Sequence, residues 1–290
     1  MNWFKVYLTC KKKEVSIIEE IFTACNAISI SLVCEEGGCE IYEPKVGETP
    51  LWNNIELSAL FEKKISKEFV ISILSGIPYS NLNIIKLNDQ NWIEKYQKNF
   101  KPIKFGKKLR VAPSWSQDVS IQECIDIKID PGLAFGTGSH ETTHLCLEYL
   151  DENPPKNLSV LDYGCGSGIL SIASLLLGAS NAIALDIDPQ AIVSTKVNAI
   201  RNKVAKKIQV GAPLDFADTK VDILFANILF NTLIKLKHEF SMFLNSGSKI
   251  ILSGVMNKQK DKLIQDYKTQ FEVKMIKNRN EWCLLELEKR

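Results

Sequence analysis

From residue 158 to 203 the chain alternates, without interruption, between β-branched runs and helical spacing, with glycines at the first crossover. "LSVLDYGCGSG" reads as a strand running into glycines, and "ILSIASLLLGA" as an apolar helix stopped at Gly178. "NAIALDIDP" reads as a second buried strand, and "PQAIVSTKVNAIRNK" as an amphipathic helix. Apolar strands separated by helices belong to parallel sheets covered on both faces and joined by right-handed crossovers. Downstream, "KKIQVGA", "VDILFANIL" and "KIILSG" supply three more strands, and "FEVKMI" with "EWCLLELE" closes as an antiparallel pair. Residues 129–290 are therefore expected to form a seven-stranded, doubly wound α/β sheet with a terminal hairpin.

The earlier half has another rhythm. Trp3 to Cys10 alternates as a strand, Glu14 to Ala27 has helical spacing through Ile17, Ile18, Ile21 and Phe22, and Ile28 to Val33 returns to strand character. "NIELSALF", "EKKISKEFVISIL" and "NLNIIKLND" repeat the order strand, helix, strand. Two such units make a ferredoxin-like α+β domain over 1–88. "DQNWIEKYQKNF" reads as a linking helix ended by Pro102, and 89–128 as a connecting segment. That segment contains "KPIKFGKKLR", five basic residues without an acid in a chain of net charge +2. Read alone it is a solvated connector, since no basic face elsewhere extends it into a nucleic-acid footprint.

Composition narrows the class further. Hydrophobic residues at 45% and charged residues at 24% are those of an ordinary globular protein. The longest apolar stretch, Ile169 to Ala179, falls well short of the roughly 20 residues of a membrane span. The opening "MNWFKVYLTCKKK" puts its lysines after the apolar run, the reverse of a secretion signal, so a cytoplasmic protein is expected. The eight cysteines form no CxxC pair, which favours reduced, mostly buried thiols.

In a doubly wound sheet, ligands bind beyond the carboxyl ends of the strands, where the strand order reverses. The first loop there is Asp162-Tyr163-Gly164-Cys165-Gly166-Ser167-Gly168. Its GxGxG spacing differs from the GxGxxG that brings a pyrophosphate to a helix N-terminus. A loop opened by a carboxylate suits a cofactor with no phosphate and a cationic amino-acid end, which Asp162 can orient directly or through water. The next strand ends in Asp186, where a carboxylate grips a ribose diol. Adenosine with an amino-acid tail and no phosphate is S-adenosylmethionine, so Asp162, Gly164, Gly166 and Asp186 are candidate cofactor residues. Asn227, at the end of the fourth strand in "FANILF", can accept a hydrogen bond from an amine and align its lone pair on a methyl group. Methyl transfer from a sulfonium is an in-line displacement that needs orientation rather than a metal or a covalent nucleophile.

These segments, with "DPGLAFGTGSHETTHLCLEYLD", resemble the bacterial family that methylates large-subunit ribosomal protein L11, whose pattern runs DPGLAFGTGTHPTT, LDxGCGSGILxIA, DIDPxA, ANIL and a closing EEWC-like strand. "NWIEKYQKNFKPIKFGKKLRVAPSW" is similar to its linker. The resemblance covers residues 90 to 290 motif by motif and the first domain by pattern. It implies a ferredoxin-like domain that grips the ribosomal protein, a flexible connection, and a Rossmann-like catalytic domain. It further implies methylation of both lysine side chains and the terminal α-amine, with cofactor contacts at Thr143, Gly164, Asp186 and Asn227.

Two departures stand out. The family's THPTT is SHETT here, which creates a literal His140-Glu141-x-x-His144, the spacing of a zinc peptidase helix. A zinc site needs a third ligand, and the remaining histidine, His238, lies in a distant amphipathic segment. The reading adopted is a helix start that covers the cofactor, with Ser139 as N-cap and Glu141 at the positive end. The family's NILAGPL is NILFNTL, which leaves Phe230 to shape the acceptor pocket in its own way. Rival readings are a methyltransferase for another protein, an amide or a small molecule, and an RNA-binding ferredoxin-like module. Amide and base methylation is associated with Asn-Pro-Pro-Tyr where this chain has Asn-Ile-Leu-Phe. An RNA module would carry aromatic RNP motifs that the slightly acidic first domain lacks.

Overall fold

A computed structural model of the chain describes residues 3–34, 51–87, 102–116, 124–130, 138, 140–216 and 218–290. It divides into two compact units, Met1–Lys98 and Asn99–Arg290.

In the first unit β1 (Trp3–Lys11), α1 (Val15–Ala24), β2 (Ser29–Cys34), β3 (Asn54–Phe61), α2 (Lys67–Ile73) and β4 (Ser80–Leu87) follow one another. The strands pair antiparallel in the order β2-β3-β1-β4. Alternation aims Val6, Leu8 and Cys10 of β1 and Ile55, Leu57, Ala59 and Phe61 of β3 into one core with Ile18, Phe22 and Val70 of the helices. Both helices are shorter than their apolar spacing suggests. α1 ends at Ala24, just before Asn26, which takes the left-handed conformation (φ 65°). α2 begins only at Lys67, because Ser66 turns to extended backbone and its hydroxyl accepts the Phe69 N–H (3.2 Å). The expected linking helix over 89–100 lies outside the described residues.

The second unit starts with β5 (Ile103–Phe105), β6 (Leu109–Ala112) and β7 (Ile125–Lys128), which form a small sheet of their own. This corrects the reading of "KPIKFGKKLR" as a solvated connector. Phe105 and Leu109 are fully buried, and Arg110 reaches Asp126 with two parallel bonds, Nε to Oδ1 (2.7 Å) and Nη2 to Oδ2 (2.8 Å). The Lys107 and Lys108 amides donate to the two oxygens of Asp151. Lys104, Lys107, Lys108 and Arg110 are thus threaded through a hairpin whose apolar members point inward, the three lysines staying exposed, and Lys101 lies outside the described residues.

Next come α3 (Glu141–Glu152), β8 (Ser159–Tyr163), α4 (Ile169–Leu176), β9 (Asn181–Leu185), α5 (Pro189–Arg201) and β10 (Ile208–Gly211). β11 (Val221–Asn227), α6 (Phe230–Met242), β12 (Leu244–Met256), α7 (Lys260–Tyr267), β13 (Phe271–Arg279) and β14 (Trp282–Lys289) complete the unit. The sheet order is β10-β9-β8-β11-β12-β14-β13. The first five strands in that order are parallel, and β14 runs antiparallel to both its neighbours. The central strands are buried on both faces, which is why Val160, Leu161, Ala182, Ala184, Leu224 and Phe225 read as unbroken apolar runs. The strand order reverses between β8 and β11, so their carboxyl ends open the crevice of such a sheet.

Candidate cofactor and acceptor site

The loop after β8 is shaped by three glycines with left-handed backbone: Gly164 (φ 77°), Gly166 (φ 52°) and Gly168 (φ 77°). Two of them also lack room for a side chain. A Cβ on Gly164 would stand 2.4 Å from Cγ2 of Ile228, and one on Gly168 2.7 Å from Cγ2 of Thr195. The loop is tied down from several sides. The Gly164 and Cys165 amides both donate to Leu185 O (2.7 and 3.0 Å), at the end of β9. On α5 the Thr195 hydroxyl donates to Gly166 O (3.0 Å) and the Asn198 amide to Ser167 O (2.9 Å). Both of those side chains are buried, and the sequence reading missed them, although their three-residue spacing puts them on one helix face.

Asp162 stands at the end of β8 and is 1% exposed. Its Oδ2 accepts from the backbone N–H (3.1 Å) and the hydroxyl (2.9 Å) of Ser171 in α4, binding the strand end to the helix start. Burial pushes its carboxyl pKa up to about 6, against the lowering effect of the two Ser171 bonds, and the charge of Asp186 adds to the rise. Asp186 follows β9 and faces the same loop. Its Oδ2 accepts the Gly166 amide (2.9 Å) and its Oδ1 the Asp188 amide (3.0 Å). A carboxylate has about four lone-pair sites, so these two bonds leave acceptor capacity for hydroxyl donors.

Thr143 and Asn227 meet although they are 84 residues apart. The Asn227 Nδ2 donates to Thr143 Oγ1 (3.3 Å) from the end of β11 to the first turn of α3. With its amide hydrogen directed at Thr143, Asn227 keeps its carbonyl oxygen as the acceptor for a third group. The next turn of chain is held by close backbone packing: a Cβ on Gly254 of β12 (φ 80°) would lie 2.2 Å from Ile228 O. Ile228 is thereby gripped between Gly164 and Gly254, with Asn227 immediately before it. Sequence reasoning missed Gly254, though an isolated glycine inside a strand signals a close backbone approach.

The His140-Glu141-x-x-His144 stretch is taken up by other partners. His140, not Ser139, is the N-cap residue of α3: its Nδ1 accepts the Thr142 N–H (3.3 Å), and Ser139 lies outside the described residues. Glu141 pairs with Arg279 and accepts the Asn280 amide (3.0 Å). His144 Nε2 bonds Glu148 (3.0 Å), and its ring packs on Phe105 with centroids 4.6 Å apart. Among the described residues no group of three or more His, Cys, Asp or Glu side chains is arranged to hold a metal ion. Phe230 stands at the start of α6. It is 5% exposed, belongs to the apolar core with Leu233 and Leu263, and is roofed by Lys262 Nζ at 5.7 Å. The seven described cysteines are free thiols, and burial raises the thiol pKa of Cys146 to about 12. Cys39 lies outside the described residues.

Comparison with known proteins bears on this arrangement. The family model "Ribosomal protein L11 methyltransferase (PrmA)" matches residues 2–290. A ribosomal protein L11 methyltransferase of Saccharophagus degradans is 37% identical over 296 aligned residues, with 100% of each chain covered. One of Pseudomonas savastanoi pv. phaseolicola is 38% identical over 288 residues, covering 97% of both chains. Among solved structures, the ribosomal protein L11 methylase of Lactobacillus delbrueckii subsp. bulgaricus aligns with a TM-score of 0.61 at 30% identity, covering 66% of this chain and 100% of that one.

Proposed function

The chain belongs to the ribosomal protein L11 methyltransferase family, and from that premise we propose how its residues move methyl groups from S-adenosylmethionine to amino groups of ribosomal protein L11. The observation that carries this reading is the Asn227 to Thr143 hydrogen bond beside the glycine loop at the reversal of strand order. The fit to the cofactor rests on the loop itself. Left-handed glycines let backbone approach a ligand closely, and acidic groups at two strand ends suit an amino acid and a ribose rather than phosphates.

When bound there, S-adenosylmethionine supplies a methyl group on a cationic sulfur with a neutral leaving group. Asp162 holds the ammonium end, Asp186 the ribose hydroxyls, and Gly164 and Gly166 line the tail. Thr143 covers the cofactor from the first turn of α3. Asn227, held by Thr143, accepts a hydrogen bond from the acceptor amine through its carbonyl and aligns the lone pair. A free lysine has a pKa near about 10.4, so the site must favour the neutral amine, and desolvation beside a cation does so. Asn227 stabilises that neutral amine without removing its proton.

In the same reading, both lysine side chains and the α-amine of L11 are acceptors, in the cytoplasm. The first unit is a recognition domain of ferredoxin-like fold, the fold being supported by its βαββαβ order and the strand sequence β2-β3-β1-β4. The catalytic domain extends over 129–290 and shares the second unit with the small β5–β6–β7 sheet. No described helix is long and apolar enough to cross a membrane. Intact-protein mass spectrometry of unmethylated L11, incubated with the chain and S-adenosylmethionine, tests the reading. Successive CH₂ increments, several per molecule, are expected. No increment, from a preparation that binds the cofactor, would overturn L11 as substrate.

A further inference from the structure

Thr143 can meet Asn227 only if α3 sits at one height along its own axis. The apolar side of the helix, Leu145, Cys146, Leu147, Tyr149 and Leu150, is buried, but burial of an apolar stripe is non-directional and does not define axial position. Directional contacts do: Thr142 O accepts the Ser253 hydroxyl (3.2 Å), Asp151 accepts the Lys107 and Lys108 amides (2.7 and 2.8 Å), and a row of charged contacts adds to them. Glu141, Glu148 and Glu152 lie at i, i+7 and i+11, along one line of the helix. That line meets the terminal hairpin. Lys277 of β13 pairs with Glu152, and Arg279 pairs with Glu141 and sends Nη1 towards Glu148 (3.7 Å). His144 Nε2, on the same side, completes the row at Glu148 (3.0 Å). At the hairpin tip Asn280, in the left-handed conformation (φ 51°), donates to Glu141 (3.0 Å). The Trp282 ring meets His140 edge-on with centroids 5.1 Å apart.

We propose that the β13–β14 hairpin is a positioning element for the cofactor site: Arg279, through Glu141 and Glu148, sets the axial register of α3 and so the position of Thr143 against Asn227. The proposal rests on the methyltransferase reading. It assigns a use to Glu141, the residue that produced the metal-like motif, as an anchor to a strand 138 residues away. Arg279 touches neither Thr143 nor Asn227 in any described contact and acts through the helix. Its side chain and those of both glutamates are about one-third exposed, so each pair alone is weak and screened by salt, and the effect comes from the row acting together.

Calorimetric titration of the full chain with S-adenosylhomocysteine tests this, on the parent and on Arg279→Gln, Glu141→Gln, the double variant and Arg279→Lys. Lys274→Gln serves as control, because among the described residues Lys274 pairs with Glu272 and Glu288 on the hairpin itself. Arg279→Gln is expected to weaken binding by about three- to fivefold, the range of a modest ion-pair network. The double variant should lose no more than Arg279→Gln alone, and Arg279→Lys should recover most of the affinity. KM for L11 should stay constant, since the proposed recognition domain is untouched, while kcat should fall as Thr143 shifts against Asn227. In rising salt the gap between parent and Arg279→Gln should close, a readout that a merely structural loss would not give. An affinity for Arg279→Gln and Glu141→Gln equal to that of Lys274→Gln overturns the proposal, as does a fall in melting temperature with unchanged affinity. A parent chain that fails to bind S-adenosylhomocysteine overturns the methyltransferase reading instead, and that is seen before any variant is compared.

Discussion

Asp162 shows how one residue can serve both the fold and a ligand. Its buried carboxyl, with a pKa near 6, prefers to stay neutral until the pH passes that value. Because the folded pKa is raised, ionisation costs stability as pH climbs from the ordinary carboxylate range to about 6, and the cost is constant above. A cationic amino-acid end needs the ionised form. Affinity for S-adenosylmethionine should therefore fall as pH is lowered through 6, approaching about tenfold per unit once the carboxyl is mostly protonated. Asp162→Asn should bind weakly with a flat profile over pH 5 to 8. Calorimetry across that range decides it: parallel profiles for parent and variant would remove Asp162 from contact with the ammonium. The chemical class of Asp162 and Asp186 is legible in the chain, since an acid at the end of a buried strand is conspicuous. Their present partners, Ser171 and the Gly166 amide, are not, because they depend on how the loop folds back.

At the scale of elements, β12 shows two glycines that look alike in sequence and differ in their surroundings. Gly247 (φ 83°) has nothing within 4 Å of where a Cβ would be, whereas at Gly254 (φ 80°) a Cβ would overlap Ile228 O at 2.2 Å. Gly247→Ala should cost only the left-handed backbone penalty, about 1–2 kcal/mol, and leave turnover unchanged. Gly254→Ala adds a backbone clash beside Asn227 and should lower both stability and kcat. Thermal melts and turnover on the two variants separate strain from displacement; equal behaviour would show that the turn after Asn227 shifts without consequence. Outside the basic run, the type of the elements described was readable from periodicity in both units. Element ends were not: α2 starts at its Ser66 cap, well inside the apolar spacing, and the basic run became a hairpin because Phe105 and Leu109 found a core to enter.

For the whole molecule, each unit carries its own apolar core, one around Val6, Leu57 and Phe22, the other around Leu161, Leu224 and Leu252. Residues 99–290 alone should therefore fold and bind S-adenosylmethionine with the affinity of the full chain, yet fail to methylate L11. Methylation by that fragment at the full rate would move substrate recognition out of the first unit. What the chain determined by itself was whatever depends on near neighbours: the period of strands and helices, the left-handed glycine turn, the acid at each strand end. What only the tertiary structure decided was the partner of each group across long separations. Glu141 meets Arg279, Asn227 meets Thr143, Ile228 fills the space left by Gly164 and Gly254, and Phe230 turns into the core. Backbone geometry and hydrophobic period are local properties, whereas these contacts exist only once packing has brought distant segments within a few ångströms, where sterics and charge discriminate between partners.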